Sequence, residues 1–132
     1  MSTGARRALL AWLPAVAYMA LIWVLSSMPV QVDLEEVPFH DKGVHFVEYG
    51  VLALLLGHAL RGNWPPLGPV KVVLSAFALS TLWGYLDELH QAFVPGRDSS
   101  LMDLLADALG STLGACAFFL FDKLRKRRSR SG

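Results

Sequence analysis

Charges along this chain are bunched, and between the bunches lie four long stretches that are mostly apolar. They run near Ala8–Ser26, Gly43–Leu60, Val70–His90 and Leu101–Phe121. None alternates apolar and polar residues with a period of two, so none reads as a strand. As a helix, each would reach roughly 27–32 Å at about 1.5 Å per residue, enough for a hydrocarbon core of about 30 Å. A helix pairs its own backbone groups, which lipid requires. The pattern predicts an all-α membrane protein, a bundle of four transmembrane helices. Arg6 and Arg7 before the first run resemble the start of a secretory signal. The run is longer than the roughly 7–15 residues of a signal core, carries Trp12, Tyr18 and Trp23, and precedes no A-x-A site, so an uncleaved span is expected. Pro14 sits in the early turns of that span, where it is tolerated or makes a kink.

The connections carry the breakers. Met28–Lys42 holds Pro29, Pro38, Asp33, Glu35 and Glu36; Arg61–Pro69 holds Pro65 and Pro66; Gln91–Ser100 holds the turn Pro95-Gly96. A basic tail, 122–132, follows the fourth span. With no repeat or composition shift, residues 1–132 read as a single membrane domain. Twelve basic and eleven acidic residues give a net charge of +1, so there is no global electrostatic case for nucleic acid. The basic tail reads as a contact for anionic headgroups of the bilayer. Arg6, Arg7, Arg61, Lys71 and the tail all fall on one side of an even number of spans. By the positive-inside rule that side is the cytoplasm and holds both termini. Cys116 is the one cysteine, so no disulfide forms within the chain. Cys116 and His58 both read as packing residues.

That topology brings unusual polar residues to the outer ends of three spans. The second opens with Asp41, Lys42, His45 and Glu48; the third closes with Asp87, Glu88, His90 and Gln91; the fourth opens with Asp103 and Asp107. Glu48, Asp87 and Asp107 fall roughly 5–10 Å inside their helix ends. Ionisable groups at such depth by default face a bundle interior or a wet cavity. The i,i+3 and i,i+4 spacings put His45 with Glu48 and Tyr49, Asp87 with His90 and Gln91, and Asp103 with Asp107, Gly110 and Gly114. His45, Glu48, Asp87, His90, Asp103 and Asp107 are therefore expected to converge on one cavity. Gly110 and Gly114 admit close helix approach, including helix-mediated self-association. Taken singly, each polar residue reads as structural: Asp103 as a cap beside Ser99 or Ser100, Glu88 and Asp98 as solvated. Taken together, the carboxyls outnumber the fixed cations Lys42 and Arg97 and must be protonated, hydrated, paired with histidine or bound to a cation.

The strings Ser26-Ser27-Met28-Pro29, Asp41-Lys42-Gly43-Val44-His45-Phe46 with Tyr49, and Gly84-Tyr85-Leu86-Asp87-Glu88-Leu89-His90-Gln91-Ala92-Phe93-Val94-Pro95-Gly96-Arg97, followed by Ser100, Asp103, Asp107, Gly110 and Gly114, carry a resemblance. The chain resembles the VanZ-like family of bacterial membrane proteins over nearly its whole length. The resemblance implies a multi-pass protein of the bacterial cytoplasmic membrane, in a family whose namesake is associated with resistance to teicoplanin, a lipid-tailed glycopeptide. It supplies no proven catalytic residues and no cofactor. Three readings follow. As a binder or modulator of an outer-leaflet ligand, a lipid-linked wall precursor or lipoglycopeptide, the protein would use Lys42, Glu48, Glu88, Gln91, Arg97 and Asp103. As an enzyme, it would use His45, Asp87, His90 and Asp107 in acid–base chemistry, with Arg97 as an anion clamp. As an interaction protein, it would use the cluster only to join helices. Histidine with carboxylate also suits Zn²⁺ or Mn²⁺, but no fixed ligand spacing such as H-E-x-x-H is present, and no residue is assigned to a metal.

Overall fold

In a computed structural model of the chain, the described residues are 2–29 and 40–130. They form four helices: α1 (Thr3–Ser26), α2 (His40–Asn63), α3 (Pro69–Gln91) and α4 (Leu101–Arg130). All four are long and apolar enough to cross a membrane. Most of the first connection, with its acids and Pro38, lies outside the described residues.

Local chemistry sets the ends. Ser2 caps α1, its hydroxyl accepting from the Ala5 amide at 3.3 Å. The helix then runs unbroken through Pro14. Gly68 caps α3 and Pro69 fills its first position, where a missing N–H costs nothing. Ser100, rather than Asp103, caps α4: its hydroxyl accepts from the Met102 amide at 3.1 Å. The helix α4 also outruns its apolar stretch, because the basic run expected as a tail continues as helix to Arg130. Lysine and arginine are good helix formers and favour a helix C-terminus.

The closest pairing is α2 with α4. It depends on small residues. A side chain at Gly110 would strike the Phe46 carbonyl, and one at Gly114 would strike the Gly50 carbonyl. Glycine lets these two backbones touch. Tyr49, Leu52, Leu56, Val72, Ala76 and Ala115 fill the middle of the bundle. There Ser111 donates to Ser80 at 2.8 Å and Ser80 to the Tyr49 carbonyl at 3.1 Å, a buried chain across α4, α3 and α2. Leu9, Leu13, Val47, Leu74, Leu82, Leu109, Leu113 and Leu120 face outward and exposed. That many large apolar side chains turned outward suits lipid and not water.

Candidate functional site

At one end of the bundle three helices bring titratable side chains together. On α4, the buried stripe is Asp103, Ala106, Asp107, Gly110, Ser111 and Gly114. On α3 it is Ser80, Gly84, Asp87, Glu88 and Gln91. Gly84 matters because a Cβ there would come 2.6 Å from Oδ2 of Asp107. Its missing side chain is the space that the carboxylate occupies.

His45 of α2 is the hub. Its Nδ1 lies 2.9 Å from Oδ1 of Asp107 and 3.8 Å from Oε1 of Glu88. The imidazole is stacked near the buried Tyr49 ring, 6.4 Å between centroids and nearly parallel. The backbone amide of Ser100 donates to Oε2 of Glu88 at 2.9 Å, pinning that carboxylate. Lys42 approaches Asp103 at 3.5 Å, and Gln91 donates to Oδ2 of Asp87 at 2.9 Å. Asp87, Glu88, Asp103 and Asp107 are all buried. One oxygen of each lacks a hydrogen-bond partner among the described residues: Oδ1 of Asp87, Oε1 of Glu88, Oδ1 of Asp103 and Oδ2 of Asp107. Buried polar atoms are normally satisfied; here Oδ1 of Asp103 has the Lys42 ammonium at 3.5 Å and Oε1 of Glu88 has Nδ1 of His45 at 3.8 Å, charge contacts without hydrogen-bond geometry.

Beside this network lies a cavity of about 270 Å³, lined by Ile22, Asp41, His45, Glu48, Asp87, Gln91 and Arg97 among others. The turn Val94–Arg97 aims the arginine. Arg97 N–H donates to the Val94 carbonyl at 3.1 Å, and Gly96 takes φ 81°, as a proline–glycine turn of this kind requires. The guanidinium then donates to the carbonyls of Met28 at 2.8 Å and Leu25 at 2.7 Å. It closes the C-terminus of α1 while lining the cavity.

The expected convergence thus divides. His45, Glu48 and Asp87 line the cavity, while Asp103, Asp107, Glu88 and Lys42 lie in the ion and hydrogen-bond network around His45. Glu88 is buried, not solvated. His90 does not converge. It turns toward α1, where its Nε2 lies 2.9 Å from the Ser27 hydroxyl and its ring stacks on Trp23 at 4.1 Å. Its physical reason is rotational: at about 100° per residue, position 90 lies well off the stripe through 84, 87, 88 and 91. There it joins an apolar groove of about 680 Å³ between α1 and α3, lined by Val16, Met19, Trp23, Trp83, Leu86, Leu89 and Phe93. Gly84, Tyr49 and Trp23 complete the site without having been singled out as site residues from sequence; of these, Tyr49 carried a spacing signal, four residues after His45, and Gly84 stands three before Asp87.

Residues 11–122 match the VanZ/LLP1 family. The chain belongs to that family. It is a VanZ-like multi-pass membrane protein, and the match covers α2, α3, most of α1 and α4, and every residue of the cluster. No curated protein and no solved structure matches the chain.

Proposed function

We propose that this VanZ-like protein holds a lipid-tailed ligand at the outer face of the bacterial cytoplasmic membrane, its headgroup in the polar cavity and its tail in the α1–α3 groove. One observation carries the reading. The charged cavity of about 270 Å³ and the apolar groove of about 680 Å³ flank the same ends of α1 and α3. An amphiphile needs such a pair of neighbouring surfaces at the depth of a headgroup. The outward orientation is supported by the basic residues at the opposite end, where Arg7, Arg61 and Arg125 line one pocket. Glu48 and Asp87 accept hydrogen bonds from hydroxyl or amine groups, while Gln91 and Arg97 can meet an anion. A lipid-linked wall precursor or a lipoglycopeptide such as teicoplanin has that mixture of groups and a tail.

The protein in nanodiscs, titrated with teicoplanin and with the same glycopeptide core lacking its tail, provides the test. Trp23 and Trp83 line the groove, so their fluorescence reports the tail directly. Saturable quenching by the tailed compound, weakened by Glu48→Gln, supports the reading. Quenching equal to that of empty nanodiscs, or equal for both compounds, removes it. Reporter fusions after Pro66 and Arg97 should read cytoplasmic and external; the reverse would turn the cavity inward.

The His45–Asp107 pair favours a second reading, an enzyme. A carboxylate at 2.9 Å orients an imidazole for proton transfer, and His45 lines the cavity. Conversion of a lipid-linked precursor by the purified protein, lost in His45→Gln, would place catalysis ahead of binding alone.

A further inference from the structure

We infer that His45, Glu88 and Asp107 form a binding site for one first-row divalent cation, of the Zn²⁺ or Mn²⁺ class. One donor atom from each of these three buried residues lies within 4.8 Å of the others. The donors come from α2, α3 and α4, so an ion would clasp three helices at the point where they meet, as metal sites in helix bundles do. Metal–ligand bonds of about 2.0–2.2 Å place neighbouring donors about 3.0–3.5 Å apart. The Nδ1–Oδ1 distance of 2.9 Å and the Nδ1–Oε1 distance of 3.8 Å straddle that range.

Two further observations point to a ligand rather than to a closed ion pair. Oε1 of Glu88, 3.8 Å from Nδ1 of His45, is buried without a hydrogen-bond partner among the described residues. Glu88 is also held in place by its other oxygen, through the Ser100 amide at 2.9 Å. Outer contacts that fix a ligand's orientation while leaving a donor atom facing the ion are the usual support of a metal site. Charge points the same way. With His45 neutral, as a metal ligand must be, the four buried carboxylates Asp87, Glu88, Asp103 and Asp107 face the fixed cations Lys42 and Arg97, and Glu48 on the cavity wall adds a further carboxyl, so a divalent ion offsets most of the excess. One imidazole nitrogen with two carboxylate oxygens selects zinc or manganese over the harder magnesium and calcium. Such an ion sits here whether or not the neighbouring cavity takes a headgroup.

The full chain is purified in detergent without a polyhistidine tag, stripped with EDTA and titrated with Zn²⁺ or Mn²⁺ alone. Wild-type protein should keep about one ion per chain after desalting, and its melting temperature should rise with metal. Glu88→Gln and Asp107→Asn retain side-chain shape, and each should weaken binding beyond the roughly 10–100-fold typical of outer contacts. Asp122→Asn, at the far end of α4, should bind as wild type does. Substoichiometric metal in wild type overturns the site regardless of how any variant folds. Stoichiometric metal bound equally well by folded Glu88→Gln also overturns it, and leaves His45 as the centre of a charge network only. An equal response to Mg²⁺ or Ca²⁺ overturns the assignment of ion class.

Discussion

Asp107 and Asp122 lie about four turns apart on α4, both buried, and their surroundings differ. Asp122 has Lys126 at 2.9 Å, Arg61 at 3.5 Å and Arg125 at 4.0 Å. Asp107 has His45 at 2.9 Å on one oxygen and no hydrogen-bond partner among the described residues on the other. Three cations around one carboxylate tie α2 to α4 at the basic end and ask for nothing more. At the opposite end, acids exceed bases. Apolar replacements of buried ion pairs are often neutral or stabilising, so folding alone is a weak reason for the second arrangement. The difference in compensation separates a carboxylate ringed by cations from carboxylates that outnumber theirs, and the proposed ligand and metal sites rest on the second.

The largest effect should come from neither charge. Gly114→Val puts a side chain into the Gly50 carbonyl, and that neighbour is backbone. The cost should exceed the about 1–3 kcal/mol of ordinary overpacking, and monodisperse protein should be lost on size exclusion in detergent. Retention of a normal bundle would mean that charges, and not the glycine contact, join α2 to α4.

Asp122→Asn comes next. Its partners Arg125 and Lys126 are themselves exposed and can turn to water, so the loss should be about 1–2 kcal/mol, below the 3–5 kcal/mol of a fully buried pair. Thermal unfolding in detergent reads it, and ligand binding should not change. A comparable but local loss is expected for Gly96→Ala. A residue with a Cβ at φ 81° costs about 1–2 kcal/mol, and the turn that aims Arg97 should loosen. Affinity for a headgroup should fall with it, measured in the same nanodisc titration. His90→Gln should cost about 0.5–1.5 kcal/mol, the value of the bond to Ser27, while leaving metal binding intact.

Much of this comparison is legible in the chain. Lengths and breakers foretell four helices, and the spacing of Asp103, Asp107, Gly110 and Gly114 marks the inward face of α4 correctly. His90 is misplaced because an i,i+3 spacing from Asp87 suggests a shared face, whereas the face itself is set by Ser80, Gly84, Asp87, Glu88 and Gln91 together. Asp122 is hidden by its neighbours: within a basic run it reads as tail, and only the return of α2 past α4 brings Arg61 to it. Glu88 looks solvated because it stands at a helix end, and the approach of the Ser100 amide, twelve residues on, is a tertiary fact.

The sharpest test is Asp87→Asn, with thermal stability and affinity for the tailed glycopeptide measured on the same nanodisc preparation. Asparagine can still accept from Gln91 at the position of Oδ2, while the negative charge of the carboxylate is removed. The expected result is stability within about 1 kcal/mol of wild type, the scale of one hydrogen bond, and affinity reduced by about tenfold or more, the equivalent of about 1.4 kcal/mol. Unchanged affinity with reduced stability would contradict the account and make the cluster a device for joining helices.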